Sequence, residues 1–577
     1  MASPWHKLRK AADHLTEAQL DGLRALVVLA ALALVGGAGY KWVRPLWLRW
    51  QNHRALSQAE GFAKKGDFQN LMLALRRATA LEPGDLATWQ ETARLLAQVG
   101  SPDSVTVRQQ LVRLSPGDPA QRVALARDAL ELGRYDAAET ALDGMSAAGR
   151  RDLAFHRLAA GLAAALGRDS DLEREAKAIR DADPGDANAR FAYAALRIWS
   201  PEAAARAEAR AELEALLAVP AVRIRAAIQL LSATSRQGDP AQVQDVLVAM
   251  LHAFAPGAAP DFSAPAVPGW NAILEGMKAA AAPAPGDAAL MVRWLSGLGR
   301  WPQALAWADS LAPAVRNSQA VAGVTAEICA QQGELPRLGG LLRAGAWGAW
   351  PEAAQELALA ARLQALHYSA ARARDTWKDA IAAAGGSPAG MRNLARLASL
   401  WGDLAGEEQV LSNVLAHSPK AFWAYGALRG IYLQRRDLPG LWDLYGRWRL
   451  QMPDDPGVAA AWVMLGCVLN RSDAQSFALA EQMHRRFPDS LPASAAAAAA
   501  LWRRGQARAA WEVLGALPEA ARLRPDLSFW VAVVRADLGD HDGAVAAAQR
   551  ALPGATTPAE RSLLRGALAK VGYSFAD

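Results

Sequence analysis

Residues 64–85 read KKGDFQNLMLALRRATALEPGD, and the punctuation of this stretch decides the fold. Gly66 opens it, apolar and small residues recur through it at helical spacing, and Pro83-Gly84-Asp85 closes it, with Pro83 lying 17 residues after Gly66. The same interval separates Gly167 from Pro184 and Gly402 from Pro419, and looser copies run from Gly100 to Pro116 and from Gly238 to Pro256. Most successive prolines in the series 83, 116, 184, 220 and in the series 388, 419, 453, 488 stand 31 to 36 residues apart, and 116 to 184 is twice 34. A period near 34 is the length of one helix-turn-helix repeat.

The chemistry of one unit is readable. A first helix ends at a glycine turn, as in GDF at 66, GRY at 133, GRD at 167, GRW at 299, GDL at 402 and GDH at 539. Glycine takes positive φ there without a Cβ penalty and caps the helix. Small residues follow on the second helix (Ala138, Ala304, Ala544), which lets two helices approach closely. Proline then stops the second helix, because its ring clashes with helical continuation and the residue before it avoids the α region. An Asp or Ser just beyond caps the next helix.

Composition agrees. The chain has 577 residues, 52% hydrophobic and 21% charged. That is too long for one core and too apolar for disorder. Helix formers dominate and β-branched runs are scarce, which predicts an all-α protein. The pI of about 9.4 invites a nucleic-acid reading. Residues 1–54 alone hold eight basic against three acidic side chains, leaving 55 against 54 in the other 523. The excess flanks one apolar stretch, where membrane topology accounts for it and nucleic acid is not required.

That stretch begins LRALVVLAALALVGGAGYKW at Leu23, and it has no charge from Ala25 to Tyr40. Sixteen uncharged residues make roughly 24 Å of helix, short of a span of about 30 Å. With Arg24 and Lys41 able to snorkel and Trp42, Trp47 and Trp50 suited to an interface, residues 23–43 are expected to form a single transmembrane helix. A cleaved signal peptide ending near Gly37-Ala38-Gly39 and a buried soluble helix are the alternatives. Ala33 and Gly37 form a small-xxx-small pair. The basic residues divide almost evenly across the segment. The expected placement is a bacterial inner membrane, single-pass, with the repeats periplasmic.

The unit resembles the tetratricopeptide repeat. Its best copy is residues 52–85, where Ala59, Phe62, Gly66, Phe68, Ala78 and Pro83 match the repeat's small, aromatic, turn-glycine, aromatic, small and proline positions. Gly133, Tyr135 and Ala138 repeat the turn pattern, whereas Arg436 and Arg471 stand where a turn glycine is expected and the copy near 150 lacks its proline. The resemblance implies an α-solenoid of antiparallel helix pairs, a right-handed superhelix of about 12 to 15 units. The expected organisation is a tail at 1–22, a transmembrane anchor at 23–43, arrays at 50–255 and 287–577, and between them a Pro/Ala-rich break at 256–286, a loop or irregular helix pair. That break carries six prolines. The run SAAAAAA at 494–500 fits a close-packed helix face.

No catalytic pattern stands out. The nine histidines are scattered, with no HExxH, GxSxG, P-loop, CxxC or EF-hand loop, so no cofactor or metal is expected. A hidden site in the break would need clustered His, Asp and Glu, and 256–286 holds only Asp261 and Glu275. Cys329 and Cys467 read as buried free thiols, with a disulfide or a reactive thiol as the alternative. The 21 tryptophans read as inter-helix packing, a few of them as peptide anchors.

In such a solenoid the first helix of each pair faces the groove. Counting back six and ten residues from each turn glycine places Arg127, Arg157, Arg293, Arg392 and Arg396 on that face. An arginine row favours an acidic peptide through bidentate contacts, unless the arginines pair with Glu or Asp of neighbouring repeats. Reversing the charge of Arg392 and Arg396 is expected to weaken partner capture with melting unchanged. The expected function is a membrane-anchored scaffold that binds partner proteins or peptides in envelope assembly, secretion or polysaccharide export, with no catalysis and no nucleic acid. The alternative is a non-catalytic accessory subunit of a membrane enzyme such as a glycan synthase.

Overall fold

Most first helices end in the same backbone device. Gly66 sits at φ +70°, and the amide of the next residue, Asp67, reaches back to the carbonyl of Phe62 at 3.0 Å. This six-to-one closure satisfies carbonyls that the helix end would orphan. It recurs from Arg168 to Ala163, Arg300 to Leu295, Asp403 to Ala398 and Asp540 to Arg535. Left-handed residues fall at 66, 100, 133 and 167, then at 299 and 333, then at 402, 436, 470, 505, 539 and 572, with Gly257 and Gly385 outside this series. Within each run they are 33 to 35 residues apart.

Six joints from a second helix to the next pair are equally regular. Glu82, Ser115, Asp183, Ser418, Met452 and Phe487 each precede a proline and share φ between −129° and −140° with ψ between 67° and 84°. The proline ring holds these residues out of the α region. Two residues past the proline, Asp85, Asp118, Asp186, Asp455 and Ser490 cap the following helix by accepting a backbone N–H.

The structure is a computed structural model describing residues 17–237, 240–257, 268–344, 352–385, 387–554 and 557–574. The described residues are all-α, without a strand. They fall into two units, 1–132 with 137–152, and 133–136 with 153–577. In the first, Ala59, Leu71, Leu75, Leu95 and Leu96 form a core beneath the helices Glu17–Lys65, Phe68–Leu81 and Leu86–Gln98. In the second, one core runs without interruption from Ala194 to Leu359 and another gathers residues between Ala460 and Leu568. Residues 493 to 500, spanning the alanine run, are all buried.

Two turn positions lack glycine. Arg436 at φ 55° takes the left-handed conformation, as expected, but the other such residue is Asn470 at φ 56°, one position before Arg471. Asparagine tolerates this region and arginine does not, at a cost of about 1 kcal/mol. Arg436→Gly is therefore expected to stabilise the second unit by about 0.5 kcal/mol, part of the relief being offset by glycine's larger unfolded-state entropy. Gly402→Ala is expected to destabilise it by about 1 kcal/mol. Urea midpoints of the two variants shifting in the same direction would contradict this assignment.

The stretch 256–286, expected as a loop or irregular helix pair, contains a helix outside the regular pairs. The helix Pro268–Ala281 occupies 14 residues of that stretch, and Ile273, Met277 and Ala281 are fully buried in the 194–359 core. Pro268 and Pro285 stand at helix starts, where the missing N–H costs nothing. What the stretch interrupts is the alternation of pairs: this helix is a third member between Pro240–Phe254 and Pro285–Gly297. Residues 258–267 lie outside the described residues.

The membrane expectation is overturned. Residues 23–43 are not a separate element but part of one helix, Glu17–Lys65, which continues into the first pair. Among the described residues no helix is long and apolar enough to cross a membrane. The uncharged run of about 24 Å is too short for a span of about 30 Å, and charges bound it on both sides. The single-pass inner-membrane placement, and with it the periplasmic side assigned to the repeats, is withdrawn. Residues 1–16 and the side chains of Ala33 and Gly37 lie outside the described residues.

Candidate functional site: an arginine and amide face on successive first helices

The first helices of the second unit pack in series, Pro285–Gly297 on Gln319–Gln332, that helix on Glu352–His367, and that one on Pro388–Leu400. Gln319–Gln332 is the most enclosed, with every residue from Val321 to Ala330 buried. Inside this apolar helix sits Glu327, 3% exposed. A carboxylate in such a place is tolerated only if paired and hydrogen-bonded. Arg396 Nη2 donates to its Oε1 at 2.7 Å, Gln355 Nε2 to the same oxygen at 2.6 Å, and Arg293 Nη2 to Oε2 at 3.3 Å. Arg396 Nη2 also donates to Asn393 Oδ1 at 2.6 Å. Both guanidiniums remain about half exposed, so each keeps donors available on its outer side.

Arg293 and Glu327 border a groove cavity of about 700 Å³. Its other polar lining groups are Arg225, Asp287, Gln319, Gln355 and Asn393, over a floor of small residues that includes Ala320 and Gly323. Five first helices contribute, from Arg223–Gln237 to Pro388–Leu400. Burial pushes the Asp287 carboxyl up, against the opposing pull of Arg225. The buried Nε2 of Gln319 has no partner. Acids, bases and amides alternate here over a long strip. They do not converge on one reacting atom, and among the described residues no group of three potential metal ligands occurs.

Of the five arginines expected on the groove face, Arg293, Arg392 and Arg396 are brought into one neighbourhood. Arg392 and Arg396 line an adjoining cavity of about 490 Å³ with Ser399, Glu407, Leu411 and Trp423. Arg157 is exposed on Leu153–Leu166 of the same unit, and Arg127 is exposed on Pro119–Glu131 of the other. Arg293 and Arg396 pair with a glutamate of an intervening repeat, so charge reversal at Arg396 would set a carboxylate against Glu327. The expectation that melting is unchanged therefore holds only for Arg392.

Sequence reasoning missed Glu327, Gln319, Gln355 and Asn393. Glu327 had a signal: it stands six residues before Gly333, the register at which Arg293 and Arg396 precede Gly299 and Gly402. Arg362 falls at the same register relative to the turn at 368, and its guanidinium lies 5.7 Å from the centroid of Trp401. The amides have no periodic signal.

Both cysteines are free and buried. Burial pushes the Cys329 and Cys467 thiols up to about 11. The thiolate is the reactive form, so neither is expected to react with iodoacetamide at pH 8 until urea unfolds the chain. Labelling of either thiol in the native protein, read by mass spectrometry, would contradict this.

No family model and no curated protein matches the sequence. Three solved structures among those similar to it are yeast Tom70, the APC/C hetero-tetramer Cut9–Hcn1, and Naa15/Naa10 bound to HypK-THB. Identities are 11%, 13% and 12%, and TM-scores 0.24, 0.25 and 0.26. Each alignment covers 90% of this chain and 95%, 96% and 96% of the other. Likenesses this remote say nothing of partners or activity. On its own rhythm of helix, left-handed turn, helix and proline stop, repeating about every 34 residues, the chain is an array of helical hairpins.

Proposed function

We propose that the chain is a protein-binding scaffold whose first-helix face in the second unit takes an acidic peptide segment of a partner. The observation that carries this reading is the 700 Å³ groove, to which five first helices contribute and which mixes arginines with amide side chains. Amides suit the donors and acceptors of a peptide backbone, and arginine forks suit carboxylates. A surface shared by many repeats suits an extended ligand better than a small substrate. Arg293, Arg392 and Arg396 are the basic contacts assigned to the partner; Arg157 and Arg127 are exposed but lack such a setting. No reaction is assigned to the site.

The test is selection of a random phage-displayed peptide library on the full chain, run in parallel on Arg392→Glu. Enrichment of sequences rich in Asp and Glu, lost on the variant, supports the proposal. Enrichment without acidic residues, or no enrichment, overturns it.

A further inference from the structure

Arg392 differs from its neighbour one turn on. Arg396 is committed to Glu327 and Asn393. Among the described residues Arg392 enters no ion pair; its guanidinium carbon lies 5.0 Å from the ring centroid of Trp423, on the next first helix, Phe422–Gln434. Both side chains line the 490 Å³ cavity. The acid in the lining, Glu407, is nearly buried and engaged by the Ser399 hydroxyl. The indole N–H of Trp423 is covered and has no acceptor. Trp377, Trp401 and Trp448 share that deficiency, but none of them lines this cavity. An arginine with no ion pair among the described residues and a tryptophan whose covered N–H has no acceptor among them thus both border one cavity. The cation–π contact with the indole restrains the guanidinium beside the cavity, and its fork suits a planar anion. An unmet buried donor is costly, and the acceptor that completes it favours the bound state.

We propose that this cavity is an anchoring subsite for one aspartate or glutamate side chain of the partner, held by the fork of Arg392 with the Trp423 N–H as second donor. The subsite rests on the protein-binding reading above and singles out one anchor within it. Charge alone does not make the site. Lysine at 392 keeps the charge but loses both the fork and the stack, and phenylalanine at 423 keeps a ring but loses the donor.

The experiment is fluorescence anisotropy of the full chain with a fluorescein-labelled (Gly-Glu)₆ peptide and its (Gly-Gln)₆ counterpart at fixed ionic strength. The glutamate peptide is expected to bind and the glutamine peptide not. Arg392→Lys is expected to weaken binding about tenfold and Trp423→Phe about fivefold, each with an unchanged urea midpoint. Glutamate-peptide binding that is undiminished in both variants overturns the subsite while leaving the scaffold reading intact. A wild-type chain that binds neither peptide, together with a library selection that enriches nothing, overturns both.

Discussion

Replacing Arg293 and Arg396 together by alanine should cost the second unit about 3–5 kcal/mol, far more than two surface arginines are worth. The asymmetry of burial is the reason. Glu327 is 3% exposed, and the two guanidiniums that neutralise it are about half exposed. Without them the carboxylate keeps a single donor, the Gln355 amide, in a helix packed on every side. The reverse deletion is milder, because in Glu327→Leu both arginines can turn to water. Either single arginine variant leaves one partner in place, so the two effects are expected to be non-additive. Urea unfolding of the four proteins and of the triple variant measures this. The triple variant should recover most of the loss. A double variant that costs no more than about 1 kcal/mol would show that the pairing is a surface feature of the ordinary kind.

The same cluster shows how far the sequence could be read. The period, the turn glycines and the proline stops are local signals, and each maps onto a backbone device: positive φ at Gly66 and Gly402, and one shared conformation before Pro83, Pro116 and Pro419. Because repeats contact mainly their neighbours, local signals suffice to give the architecture. Sites are different. Arg396 and Glu327 are 69 residues apart, and nothing in either neighbourhood announces the contact. The register six residues before the turn predicts a shared face, and it does bring Arg293, Glu327 and Arg396 together. It does not tell which member is buried, and that depends on how tightly Gln319–Gln332 is enclosed. The membrane reading failed for a related reason. Hydropathy measures a segment in isolation, and residues 23–43 belong to a 49-residue helix whose far end, at Ala55 and Ala59, is packed in a core.

The position of Gly276 in the helix Pro268–Ala281 yields the second large effect. A Cβ built on Gly276 would stand 2.0 Å from the carbonyl oxygen of Phe254 and 2.7 Å from its carbon. No rotamer relieves a clash with backbone, so Gly276→Ala should force Pro268–Ala281 away from Pro240–Phe254. Displacing the helix uncovers Ile273, Met277 and Ala281, which are buried completely. A loss of about 3–4 kcal/mol is expected, more for valine. The control is the same substitution at Gly430, also within a helix, where an added Cβ meets nothing within 4 Å. Gly430→Ala should stabilise by about 0.5–1 kcal/mol through helix propensity. Opposite shifts in the urea midpoint would establish that the third helix is clamped into the array by one backbone contact. If Gly276→Ala were as benign as Gly430→Ala, that helix would be a loosely held insert, and the stretch would be a break after all.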